Sequence, residues 1–255
     1  MEARGGGGGV SGIIRDLLDD FEGVLRVTTS PLPRRSRSSP RIPSRTSWRL
    51  RAGPIVVAAA CALLVWVTQR VFVQSPRGQR WDEGWRVDVQ ETAGRVWEAR
   101  AHDFSVVSLP LGLFACLVLA LVALSHHRVD LFIRGAVLVA GANAITQILK
   151  HVVIERPDYV DEYGPSVGYG PNALPSGHVT LVASVVLAAL IVLPRAAAPL
   201  IVLIGAAWVA LVAVATVVSG WHRPSDIAAA LLVCAGSATL IASVRTTTNA
   251  APPRK

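Results

Sequence analysis

Six stretches of this 255-residue chain, at 54–73, 104–125, 131–149, 177–194, 198–219 and 225–243, consist almost wholly of Val, Leu, Ile, Ala and Gly. A helix needs roughly 17–25 apolar residues to cross a bilayer, and all six meet that length. Arg70 and Arg134 fall near the ends of their runs, where a long side chain reaches the interface. Surface helices of a soluble bundle carry one apolar and one polar face, and these runs do not. A mean hydropathy of +0.47, with 52% hydrophobic and 16% charged residues, agrees. The expected fold is all-α: a polytopic membrane protein with about six transmembrane helices. A small transporter would need polar or Gly/Pro-broken segments in mid-span, and the runs lack them. Cys61, Cys116 and Cys234 all fall inside runs with no Cys or His partner at metal spacing, which reads as apolar packing.

Residues 1–53 have a different character. A glycine-rich start leads to residues 13–26, whose apolar spacing suits one short amphipathic helix. The stretch from Thr28 to Gly53 carries seven arginines and no acid among many Ser and Pro. Such a sequence buries too little apolar surface to fold, so a disordered basic tail is expected. Its charge suits the anionic cytoplasmic lipid surface, and it lacks the form of a cleavable secretory signal. The expected organisation is this tail, a first span and outer loop over 54–103, a core over 104–243, and a short tail over 244–255. Basic residues in short loops favour the cytoplasm, which places both termini there. The mixed-charge stretch 75–103, with Trp81, Trp85 and Trp97, becomes an outer loop forming an aromatic belt or lid.

That topology puts three polar clusters on one, extracytoplasmic side. "LKHVVIERPDY" brings Lys150 and Arg156 to a helix end, where an Arg fork and a Lys point charge can hold one anion; interfacial snorkelling is the plainer account. "LPSGHVTLVAS" opens a span with Pro175 and Ser176, a helix start that binds anions through exposed N–H groups. Gly177 permits close backbone approach there, and His178 exchanges a proton near neutral pH; a capped helix with an incidental histidine is the alternative. In "SGWHRPSDIAA", His222 and Asp226 are four apart and meet if the turn is helical. A carboxylate fixes an imidazole's tautomer and raises its basicity, leaving a nucleophile or base. The set suits phosphoryl transfer through a phosphohistidine, with cations and backbone amides neutralising the phosphoryl oxygens. No carboxylate cluster points to a metal.

With these motifs in this order over roughly residues 100–243, the chain resembles the type 2 phosphatidic acid phosphatase superfamily of six-span membrane enzymes. The family's motifs are K-x6-R-P, P-S-G-H and S-R-x5-H-x3-D. The resemblance implies a metal-independent lipid phosphatase with no cofactor, acting on a phosphate or diphosphate monoester of the phosphatidate, phosphatidylglycerophosphate or polyprenyl diphosphate class. By the same resemblance His222 is the nucleophile, Asp226 orients it and His178 is the general acid. Lys150, Arg156, Ser176 and Gly177 hold the phosphate. Its partners are the lipid substrate and the membrane, with no nucleic acid.

The chain departs from the pattern twice. Five residues, not six, separate Lys150 from Arg156, which fits if the helix end frays or tightens by one residue. Ala215 and Thr216 stand where the S-R pair belongs, so the third-motif arginine is absent; Arg223, beside His222, is the candidate replacement. Two other readings share the fold: a catalytically degenerate lipid-binding or scaffold protein, and a phosphotransferase whose acceptor is not water.

Overall fold

The computed structural model describes residues 46–50, 52–159 and 172–248. The expected amphipathic helix at 13–26, the greater part of the arginine-rich segment, and residues 160–171 of the expected loop 151–176, where the sequence leaves Asp161, Glu162 and Tyr169 as solvated residues by default, lie outside these. The described chain is helical apart from one short ladder, in which β1 (Thr46–Leu50) pairs antiparallel with β2 (Val244–Thr248). The expected unstructured tail therefore stops short of residue 53. Its last residues pair with the chain leaving the final helix, and α1 begins at Ala52.

The helices are α1 (Ala52–Thr68, extended by a π turn Gln69–Val73), α2 (Pro76–Ser125), α3 (Val129–Ile148, extended by a π turn Leu149–Val153), α4 (Gly177–Val192), α5 (Ala198–Val218) and α6 (Pro224–Ser243). Five are long and apolar enough to cross a membrane; α4 is apolar but shorter. All six expected spans are helical. Large apolar side chains such as Leu113, Phe114, Leu117, Leu203 and Ile204 are exposed along them, as lipid-facing positions would be.

At 16 residues, α4 is about 24 Å long, short for a hydrocarbon core of roughly 30 Å. It sits at the centre, packed on α2, α3, α5 and α6, with Val179 to Val185 buried without a break. Polar ties hold it there: Thr180 Oγ1 lies 3.0 Å from Thr146 Oγ1, Asn143 Nδ2 donates to Ser184 Oγ at 3.3 Å, and Cys234 Sγ donates to the Thr180 carbonyl at 3.4 Å. In hydrocarbon such bonds are each worth roughly 0.6–2 kcal/mol. Elsewhere α1 packs chiefly against α6 and α2 against α5, and α3 also meets α6 and α2.

The segment expected as an outer loop is helix. Ser75 caps α2, accepting from Gly78 N–H at 3.0 Å, and Pro76 occupies the first turn, where its missing N–H has no consequence. The helix breaks at Gly94 (φ 73, ψ 165), and the apolar span follows the break. Residues 76–93 carry seven charges, yet they alternate by helical period. Trp81 and Trp85 lie on one face with their rings tilted against each other, and Phe72 packs on Trp81. Gln79, Asp82, Glu83, Arg86 and Gln90 occupy the other.

Candidate active site

Three chain reversals meet at one end of the bundle. The first follows α3. Leu149–Val153 forms a π turn closed by Ile154 N–H to Leu149 O at 2.9 Å, after which Ile154 is extended. Of the two ways expected to absorb the spacing between Lys150 and Arg156, fraying or tightening, tightening is not found: the helix widens into a π turn and leaves helical form at Ile154. Asn172 Nδ2 ties this end down, donating to the carbonyls of Lys150 (3.1 Å), Ile154 (3.0 Å) and Leu174 (3.3 Å). The same amide group thus holds the Lys150 turn against the segment leading into α4.

Ser176 begins α4. Its Oγ accepts from Val179 N–H at 3.4 Å, and its own N–H donates to the Asp226 carbonyl at 3.0 Å. The starts of α4 and α6 are joined directly, and the first-turn amides of α4 point out of the bundle as an anion-binding end. A Cβ placed on Gly177 would meet only the Gln147 amide, at 3.5 Å. Protein packing among the described residues therefore does not demand glycine there.

The third reversal joins α5 to α6. Trp221 and His222 both donate their N–H to the Thr216 carbonyl, at 3.0 and 3.1 Å. Gly220 has φ +73, and a Cβ on it would meet Arg86 Nη1 at 3.0 Å and Gln90 Nε2 at 3.1 Å, so residues 76–93 press directly on this turn. His222 is 4% exposed. Its Nδ1 donates to Asp226 Oδ2 at 3.3 Å, leaving the Nε2 lone pair for chemistry. The ring of His178 faces it with centroids 6.2 Å apart. Trp221 lies against His178 at 5.4 Å and against His102 at 5.0 Å.

Four cations stand around this pair. Lys150 lies within electrostatic range of His178 and Asp226. Arg156 is half-buried, and its Nε has no hydrogen-bond partner among the described residues. Burial first, and then the charge of Arg223, press its pKa below the usual arginine value; Asp226, Asp82 and Glu83 partly offset this. Two guanidiniums held within each other's field, one with a buried unpaired donor, form an arrangement that an anion relieves. Thr216 contributes no charge. It is fully buried, with Oγ1 turned back to the Ala213 carbonyl at 3.0 Å. Arg223 is 7% exposed and bonded through Nε to Glu83 Oε2 at 2.6 Å; Arg86, the fourth, binds the other oxygen of that carboxylate.

All eight residues singled out in the sequence (Lys150, Arg156, Ser176, Gly177, His178, His222, Arg223 and Asp226) thus belong to these three meeting reversals. The sequence reading missed the acidic pair opposite. Asp82 accepts from Ser225 N–H at 3.0 Å and from Ser225 Oγ, and Glu83 binds Arg223. Gln79 Nε2 donates to the carbonyls of Val73 (2.7 Å) and Pro157 (3.0 Å), tying the same helix to the residue after Arg156. The polar stripe at 79, 82, 83, 86 and 90 is the signal that would have marked them. His151 is exposed; His126 and His127 are exposed at the opposite end of α3. An open groove of about 500 Å³ runs between residues 76–93 and α5, lined by Trp85, Val89, Ala93, Val214 and Val218 together with Asp88 and Thr92.

The site thus combines a helix start, converging cations and a carboxylate-backed histidine at one end of a helical bundle with apolar, membrane-length helices. Residues 131–250 match the model of the PAP2 superfamily, so that segment is similar to a family of phosphatase type. No curated protein and no solved structure matches the chain significantly. The 76–93 helix, with Asp82 and Glu83, lies outside the matched residues.

Proposed function

We propose that the chain is a lipid phosphatase that hydrolyses a phosphate or diphosphate monoester through a phosphohistidine on His222. The observation that carries this reading is the paired geometry of the histidines. His222 is buried and oriented by Asp226, His178 faces it across 6.2 Å, and Arg156, whose Nε has no partner among the described residues, lies in the field of Asp226.

In the first step His222 Nε2 attacks phosphorus. The N–P bond forms as the bond from phosphorus to the lipid oxygen breaks, and His178 gives its proton to that leaving oxygen. In the second step water attacks phosphorus, His178 takes the water's proton, the N–P bond breaks and inorganic phosphate leaves. Lys150, Arg156 and the first-turn amides of α4 neutralise the phosphoryl oxygens throughout. Asp226 keeps the Nδ1 proton in place and balances the charge of the phosphorylated imidazole. The largely apolar groove between residues 76–93 and α5 suits a lipid tail. The basic N-terminal segment favours the cytoplasm, which turns the site to the extracytoplasmic face.

The test is phosphate release from a panel of phosphatidate, phosphatidylglycerophosphate and polyprenyl diphosphate by the full chain in detergent with EDTA. Release by the wild type that disappears in His222→Ala is the expected outcome. Folded wild type that releases nothing from any lipid would overturn the phosphatase reading in favour of a lipid-binding role.

A further inference from the structure

The position that carries an arginine in the family's third motif holds Thr216, whose hydroxyl is spent on its own helix. A phosphoryl group with charge on three equatorial oxygens loses a strong donor there. The structure offers a cation from the next turn instead. Arg223 caps α6, its N–H bonded to Asp226 Oδ2 at 2.9 Å. It stands in the electrostatic field of Arg156.

A long arginine side chain needs something to fix it, and the fixing group comes from 140 residues away. Glu83 Oε2 accepts from Arg223 Nε at 2.6 Å, while Glu83 Oε1 accepts from Arg86 Nε at 3.0 Å. Both partners of the Arg223–Glu83 pair are nearly buried. Arg86 continues the chain to Gln90, and Gln90 Nε2 donates to Glu98 Oε1 at 2.9 Å. Burial alone would push the Glu83 carboxyl up; the hydrogen bonds and charges of Arg86 and Arg223 outweigh it and hold the pKa below the usual glutamate value. Glu83 is therefore an anion at neutral pH. With two arginines on one carboxylate, the trio keeps a net positive charge beside the site.

We propose that Glu83 is a positioning residue for phosphoryl transfer: bracketed by Arg86, it holds Arg223 beside Arg156, so that two guanidiniums meet the phosphate and replace the charge missing at Thr216. This rests on the phosphatase reading and extends it to a helix outside the family segment. Neighbouring bonds give that helix a rigid seat. Asp82 holds Ser225, Gln79 holds the Pro157 carbonyl, and Arg86 and Gln90 press on Gly220. It contacts both the Arg156 loop and the His222 turn.

The experiment is a double-mutant cycle on the full chain in detergent. Glu83→Gln, Arg223→Ala and the double variant are compared for phosphatidate hydrolysis and for inhibition by orthovanadate, a phosphoryl-transfer mimic. Thermal stability is measured on each, and Glu91→Gln, an exposed change on the same helix, is the control. Glu83→Gln keeps shape and a hydrogen-bond acceptor, so it is expected to fold. The expected result is a loss of about a hundredfold in kcat/KM for Arg223→Ala and about tenfold for Glu83→Gln, chiefly in kcat and matched by weaker vanadate inhibition. In the Arg223→Ala background, Glu83→Gln should add nothing. Equal losses from Glu83→Gln in both backgrounds, or a fall in melting temperature with kcat unchanged, would overturn the positioning role and leave the phosphatase intact. A wild type that neither turns over nor binds vanadate would overturn both.

Discussion

The Oδ2 oxygen of Asp226 accepts from two donors, His222 Nδ1 at 3.3 Å and Arg223 N–H at 2.9 Å. One contact orients His222, the nucleophile of the proposed mechanism, and the other closes the first turn of α6, so any change at Asp226 mixes chemistry with helix capping. Asn separates charge from capping. With its amide oxygen in the place of Oδ2 it keeps the acceptor for the Arg223 N–H, but it removes the negative charge that raises the basicity of His222 and balances its phosphorylated form. Asp226→Asn should therefore fold with little loss of thermal stability while kcat falls on the order of a thousandfold or more. A variant with near wild-type kcat would mean that His222 does not depend on Asp226, and the nucleophile would have to be sought elsewhere. Alanine at the same position is less informative, because loss of a cap alone is worth ~1 kcal/mol.

The 76–93 helix makes its own prediction through Asp82. Burial raises the Asp82 pKa from 3.8 to about 6, outweighing the two Ser225 donors that favour the anion. Its folded value lies above its unfolded one, so its contribution to stability is whole below about pH 4 and is lost as pH rises through about 6. A gap of about two pKa units corresponds to roughly 3 kcal/mol between those limits. Asp82→Asn cannot ionise. Its melting temperature relative to wild type should rise between pH 4.5 and pH 7.5; a difference constant with pH would show that Asp82 does not ionise at a cost in the fold. The same helix marks where the sequence stopped being legible. The six spans were readable because unbroken apolar runs have few other uses. The PSGH and HxxxD groups were readable because their chemistry is contiguous or four residues apart. Asp82 and Glu83 were not, because their partners Ser225 and Arg223 are 143 and 140 residues distant. A mixed-charge stretch also averages to nothing unless its period is counted. Thr216 was legible as a missing charge, but its carbonyl, which holds the Trp221 and His222 amides, acts through backbone that no side-chain pattern reports.

At the scale of the molecule, the polar chemistry gathers at one end of an otherwise lipid-facing bundle. Lys150, Ser176 and His222 close three different reversals there, while Ser125, His126 and His127 turn the chain at the other end, between α2 and α3. An odd number of crossings separates the two ends of α3, so they face opposite compartments if α3 spans the bilayer. By the charge rule, the seven arginines between Thr28 and Gly53 favour the cytoplasm for that end of α1. On the proposed topology the chain is back on that side at His126 two crossings later, and one more brings it out at Glu155. Single cysteines at these two exposed positions decide the matter, in a chain whose native Cys61, Cys116 and Cys234, all within spans, are replaced by alanine. In intact cells a membrane-impermeant maleimide should label Glu155→Cys and spare His126→Cys until the membrane is opened. The reverse pattern would place the site in the cytoplasm, where a lipid phosphate must come from the inner leaflet. Labelling of both from outside would mean that α3 does not cross, and the short central α4, whose polar ties run to α3, would lose its place at the centre of a membrane-embedded bundle.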